Sequence, residues 1–441
     1  MIIFFCYFDI HYDDNLLTDE VVMWAHVKLV AFILFDALIL QWLKVLVSIV
    51  MRFLWFPSYK EKDIEHVDSI NNVLEMKSLL SEDDTFKQFK TEYQKDLDDY
   101  DYTKLTDDGD GFKFLCLLQA AVEQSHCKCK DLKQVILSYI DENGVIGRHP
   151  VGHAEREKAV NFSGDMLAGF MYYLATMVKL HDDPQFSLGF TFNKKDALQT
   201  LFEMTTFSDK DHKGRKKGLL TFASPSEELE DNDRGSIYRW YGLGPDVVRL
   251  LAWFYLGYKF TGKTKYKVYY YLIRILNVFT LLTNPGDYAI FMGRVCAIMW
   301  FTGHSNMCHH AALYMLTKNS AAKMGANRIV KMFPSNADIV TRHKFHFKNA
   351  ITFEFALAIN QVCYNVARRG TDEYTKALKK YFTLRSFETK EMSDEWLDPK
   401  YLGHKYLFEN NPLTPTTASD ERRATFRVTD LCVKGLVVNK M

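Results

Sequence analysis

Residues 163–177 read SGDMLAGFMYYLATM: small residues, then Asp165, then an apolar run of helical length. The phrase recurs as DGDGFKFLCLLQAAV at Asp110, GPDVVRLLAWFYLGY at Asp246, PGDYAIFMGRVCAIMW at Asp287 and SNADIVTRHKF at Asp338. Neighbouring members are roughly forty to fifty residues apart, or about twice that at one gap, the period of a stacked helix pair. A single helical hairpin cannot bury its apolar face alone. Repeated hairpins therefore imply a stack or a closed ring, and the aspartates fall at N-caps or first turns, where a carboxylate accepts unpaired backbone N–H groups and meets the positive end of the helix dipole.

Working outward, residues 112–125, 131–140, 164–180, 195–207, 245–260, 265–283, 287–302, 307–318, 320–332 and 348–368 carry helical patterning. The short pieces SLGFTF (187–192) and GLLTFAS (218–224) are the strand candidates, forming one hairpin-like insertion. The chain divides into an N-terminal hydrophobic helix (1–56), a polar linker with short helices (57–109), the repeated helical body (110–368) and an irregular C-terminal extension (369–441), where Pro399, Pro412 and Pro415 exclude long helices.

Composition excludes some functions. With 55 acidic and 55 basic residues the formal net charge is zero, against nucleic-acid binding. The eight cysteines are scattered, and the His126-Cys127-Lys128-Cys129 half-site lacks a second Cys/His pair at zinc spacing, so neither metal nor cofactor is expected. No G-x-S-x-G, P-loop, H-E-x-x-H or dinucleotide fingerprint is present.

Residues 22–56 form the most apolar stretch, long enough to cross a bilayer but interrupted by Lys28, Asp36, Lys44 and Arg52. Three readings compete: a membrane anchor, a buried or partner-facing helix, and a helix lying in the membrane interface. Acids precede the stretch and bases follow it, so an anchor would leave the body cytoplasmic. A multi-pass arrangement is disfavoured by the density of charges in 246–301.

The loop-aspartate-helix starts and the stretch IDENGVIGRHPVGHAEREKAVNFSGDM (140–166) resemble the (α/α) toroids of glycoside hydrolases and polysaccharide lyases over residues 110–368. The resemblance implies a mainly α (α/α)n toroid of helical hairpins and a carbohydrate substrate. No family's catalytic signature matches in full, and terpene cyclases, lanthionine cyclases and α-solenoids share the pattern.

Three polar clusters provide candidates for glycoside hydrolysis. The first holds Asp141, Glu142, Arg148, His149, His153 and Asp165; the second Asp233, Arg234, Tyr238, Arg239, Trp240, Tyr241 and Asp246; the third Asp287, Tyr288, Arg294, His304, Ser305, Asn306, His309 and His310. Asp165 and Asp287 are the leading carboxylate pair and His149 a third catalytic candidate. Arg148, His153, Arg239, Trp240, Tyr241, Tyr288 and His304 are expected to hold the sugar by stacking and hydrogen bonding. In a lyase, a histidine or tyrosine would remove the proton beside a carboxylate that arginine neutralises. The competing explanations are a simple turn at Asp141-Glu142-Asn143-Gly144, a helix cap at Asp165, and a non-catalytic helical protein of a membrane or viral particle.

Overall fold

The computed structural model describes residues 19–43, 46, 83–107, 111–158, 162–181, 192–226, 236–237, 246–277, 302–318, 431–432 and 435. Among them the chain is mainly helical. The helices are α1 (Asp19–Phe35, continued by a π turn at Asp36–Leu40), α2 (Asp83–Asp98), α3 (Gly111–Gln124), α4 (Lys130–Ser138), α5 (Gly164–Leu180), α6 (Phe192–Phe207), α7 (Asp246–Thr261), α8 (Thr264–Leu276) and α9 (Thr302–Thr317). Most boundaries fall within a few residues of the periodicity. The candidates at 287–302, 320–332 and 348–368 lie outside the described residues. GLLTFAS is not a strand: residues 218–224 are loop, with one isolated bridge from Thr221 to Ser236. The segment is apolar because Leu220 and Phe222 enter the core, not because it pairs in a sheet.

Burial follows pattern. Helices apolar on every side become interior, and those with one apolar stripe become exterior. In α3 every residue from Gly111 to Val122 is buried, in α5 every one from Met166 to Met177, and in α7 every one from Val247 to Phe254. By contrast α4 buries Leu132 and Ile136, and α8 buries Tyr266, Tyr269, Tyr270 and Ile273, leaving their other faces to solvent. Interior and exterior helices thus alternate along the chain from α3 to α8.

The interior helices α3 and α5 run parallel. Near their starts, the Phe112 ring lies 5.6 Å from Phe162 and 5.5 Å from Phe170. Gly169 lets the backbones meet, since a Cβ there would stand 2.7 Å from the Lys113 carbonyl oxygen. At their far ends, His181 reaches Glu123 at 2.9 Å. The Glu123 carboxylate also takes a bond from Lys133 of α4 at 2.6 Å, tying three helices together. Burying each of Leu167, Phe170 and Leu174 contributes about 1.5–3 kcal/mol. Helix α9 packs against α5, where Thr176 meets Met315, and also against α7.

Helix α1 is seated on this body rather than standing apart from it. Ala25, Leu29, Ile33 and Ala37 form a buried stripe one or two turns apart. His26 bonds the Tyr269 hydroxyl at 2.6 Å, and Lys28 donates to Asp209 at 2.7 Å. By length and composition, Met23–Leu43 is the one described helix able to cross a membrane, with a mean hydropathy of 1.9.

Candidate functional site

The loop leaving α4 is organised by a single carboxylate. Asp141 Oδ1 accepts the amide N–H groups of Asn143 at 2.9 Å and Val145 at 2.8 Å. The Asp141 amide donates to Val145 O, and Gly144, at φ 72°, returns its amide to Asp141 O. The simple-turn explanation therefore holds for Asp141, and Glu142 is exposed on that turn. Asp141 performs local backbone work that any nearby chemistry has to build upon.

The same hairpin recurs after α6. Asp211 Oδ1 accepts Lys213 N–H at 3.0 Å and Arg215 N–H at 2.7 Å, with Gly214 at φ 75°. Both copies follow an exterior helix, and both carry a serine three residues before the aspartate, Ser138 and Ser208. Both are locked by a cation spent on carbonyls. Arg156, 6% exposed, donates to Tyr139 O at 3.0 Å, His149 O at 2.7 Å and Val145 O at 3.0 Å. Lys217 donates to the carbonyls of Met204, Ser208 and Thr221, each at 2.8 Å. Met204 O is one of the last carbonyls of α6, which have no partner within the helix. Burial pulls the Lys217 ammonium down to about 7, and the charges of Asp209 and Asp211 oppose that pull. Neither Arg156 nor Lys217 was among the sequence candidates. The signal that would have found them is the repeated Ser-x-x-Asp-x-x-Gly spacing.

Fixed in this way, the first loop carries His149 and His153 back to the start of α3. His149 Nδ1 lies 2.6 Å from Thr106 O, an oxygen that can only accept, so that nitrogen bears the proton. The neutral ring then keeps its lone pair on Nε2. His153 is the opposite tautomer: its Nδ1 accepts the Glu155 amide at 3.1 Å, so Nε2–H faces Asp107 Oδ1 at 2.9 Å. The two rings stack at 4.6 Å and 11°. Thr106 and Asp107 are partners that sequence spacing did not reveal, because they precede the loop by some forty residues.

The other candidates divide as follows. Arg148 sits beside His149 on the loop. The backbone of Asp165 lies in the first turn of α5, but the cap is Ser163, whose Oγ accepts Met166 N–H at 3.3 Å. His304 belongs to the first turn of α9 and not to a loop, because the helix begins at Thr302, earlier than the apolar pattern. The side chains of Asp165 and His304 lie outside the described residues, as do Asp287, Tyr288, Arg239, Trp240 and Tyr241 in full. Among the described residues, no group of three His, Cys, Asp or Glu side chains is arranged to hold a metal ion. Cys116, Cys127 and Cys129 are buried thiols, and burial pushes that of Cys116 well up.

Phe162 stacks edge-on against Phe222 at 4.8 Å, and Phe222 against Trp253 at 5.5 Å. The loop before α5 and the loop after the second hairpin are thereby neighbours, on the side where α3 and α5 begin. Comparisons with known protein families, with curated proteins and with solved structures find no match.

Proposed function

We propose that this chain is a membrane-associated enzyme that cleaves a glycosidic bond, with its site at the rim where α3 and α5 start. The observation that carries the reading is the parallel pair α3 and α5: their adjoining N-terminal ends bring the backbone of Asp165 and the loop of Arg148, His149 and His153 to the same end of the body. In this reading the helical pairs continue into a closed (α/α) ring, and Asp287 arrives from another interior helix. Asp165 and Asp287 then act as acid and base. One protonates the leaving oxygen while the other attacks the anomeric carbon or activates water, at a separation of about 5–5.5 Å for retention or about 6.5–9.5 Å for inversion. Arg148, His153, Arg239, Trp240, Tyr241, Tyr288 and His304 hold the sugar.

One feature favours an eliminative variant of the same function. The Thr106 bond leaves the His149 lone pair on Nε2, the form required to remove a proton beside a uronate carboxylate that Arg148 neutralises. The test is a panel of neutral and uronate glycans, read in parallel for new reducing ends and for the ultraviolet absorbance of an unsaturated uronate. Asp165→Asn is expected to abolish hydrolysis with the melting temperature nearly unchanged, since Ser163 caps α5 and asparagine is also favourable at a helix start. If elimination operates instead, His149→Asn abolishes the unsaturated product. Absence of both products across the panel sinks the enzyme reading and leaves the non-catalytic helical scaffold.

A further inference from the structure

Helix α1 is apolar on most sides, with Lys28 tied to Asp209, yet the body covers only one stripe of it. The opposite stripe is open: Trp24, Val27, Phe35, Leu38 and Trp42 are each about half exposed, 52%, 50%, 50%, 62% and 48%. Their spacing puts them on one line along the helix. Helix α8, which touches both α1 and its π turn, continues this surface with Val268, Tyr271 and Ile275, the last 69% exposed. Soluble monomers rarely leave so many large apolar side chains together in water.

Charge identifies what covers the face. From Val247 to Asn277 the chain holds six basic residues (Arg249, Lys259, Lys263, Lys265, Lys267, Arg274) and no acidic one. Lys263 and Lys265 are engaged by Glu203. Lys267 and Arg274 lie exposed on the same side of α8 as Val268, Tyr271 and Ile275. A second copy of this chain would bring this same cation-bearing surface, with no acidic residue from Val247 to Asn277 to pair with it. Anionic lipid headgroups would meet the cations with opposite charge, while the apolar line enters the acyl boundary and Trp24 and Trp42 sit at headgroup level.

We propose that the outer faces of α1 and α8 together dock on an anionic bilayer surface, with α1 lying in the interface plane instead of crossing it. Crossing would require peeling off the stripe of Ala25, Leu29, Ile33 and Ala37 and breaking the His26–Tyr269 and Lys28–Asp209 bonds. This inference does not depend on the carbohydrate reading.

The experiment is flotation of the full chain with vesicles of phosphatidylcholine alone and of phosphatidylcholine mixed with phosphatidylserine. Binding is expected to be strong to the mixed vesicles, weak to the neutral ones, and reversed by alkaline carbonate. Each surface cation is worth about fivefold in binding, so Lys267→Gln with Arg274→Gln is expected to weaken it roughly twenty-five-fold. Leu38→Glu with Ile275→Glu should abolish it, and the circular-dichroism melting curve checks that both pairs still fold. Lipids brominated at a shallow position should quench Trp24 and Trp42 alike, read as the quenching lost in Trp24→Phe and in Trp42→Phe. Failure to float, retention after carbonate, unequal depth of the two tryptophans, or a lipid-free dimer dissolved by the same substitutions would each overturn the proposal, the last in favour of self-association.

Discussion

Replacing Arg156 with methionine tests the frame on which the candidate site stands. The substitution keeps a long flexible side chain and removes every donor. The His149 carbonyl loses its partner at 2.7 Å, the Tyr139 and Val145 carbonyls each lose one partner at 3.0 Å but keep the amides of Gly147 and Asp141, and Asp141 loses a cation 3.7 Å away. Hydrogen bonds to a charged group contribute about 1.5–3 kcal/mol each, but removing the guanidinium also removes the penalty of enclosing it. The net loss expected is about 1.5–3 kcal/mol, since one carbonyl is left without its partner and no buried charge is stranded. Urea denaturation measures it, with the midpoint falling and the slope unchanged. Hydrogen exchange locates it: the amides of Gly147 and Val151, which bond Tyr139 O and Ser138 O, should exchange faster while those of α7 do not. Arg156→Lys should recover only part of the loss, because an ammonium is a compact point charge without the fork that spans three carbonyls. A loss below about 1 kcal/mol with unchanged exchange would show that water serves those carbonyls, and the account of the loop would fail.

Two further outcomes follow from the paired hairpins. Gly214→Ala should cost only the strain of a left-handed alanine, about 1–2 kcal/mol, since a Cβ there meets nothing within 4 Å. Gly144→Ala should cost clearly more by the same denaturation assay, because its Cβ would sit 2.5 Å from Ala197 O on α6. The Lys217 ammonium, lowered to about 7 in the fold from 10.5, makes the unfolded chain the better proton binder between those values. Stability should therefore rise with pH across that window, and Lys217→Met should flatten the rise in a pH series of melts.

Much of the helical body was legible because its signal is local. The all-apolar run from Met166 to Met177 can only be interior, and the tyrosine spacing of α8 can only be one-faced. The helix start at Thr302 was not legible: Gly303, His304, Ser305 and Asn306 are all compatible with a loop. GLLTFAS misled because alternation of apolar residues marks burial as well as pleating. Residues 141–158 are loop, as the turn residues Asp141, Asn143 and Gly144 imply, while the roles of its side chains follow from residue type alone. Which of them does backbone work depends on contacts across some ten to forty residues, such as Arg156 with Tyr139 O and His149 with Thr106 O, and no spacing rule carries that information.

The parallel run of α3 and α5 has an electrical consequence. Each helix carries about half a positive charge at its start and half a negative one at its end. Antiparallel neighbours would cancel these ends; parallel ones add them. The pair α3 and α5 is thus polarised locally, positive where the two helices begin and negative where they end. At the negative end, Lys133, Lys179 and His181 gather around the last turns of α3 and α5. Three basic side chains at one end thus answer a polarity that the sequence, read residue by residue, does not display.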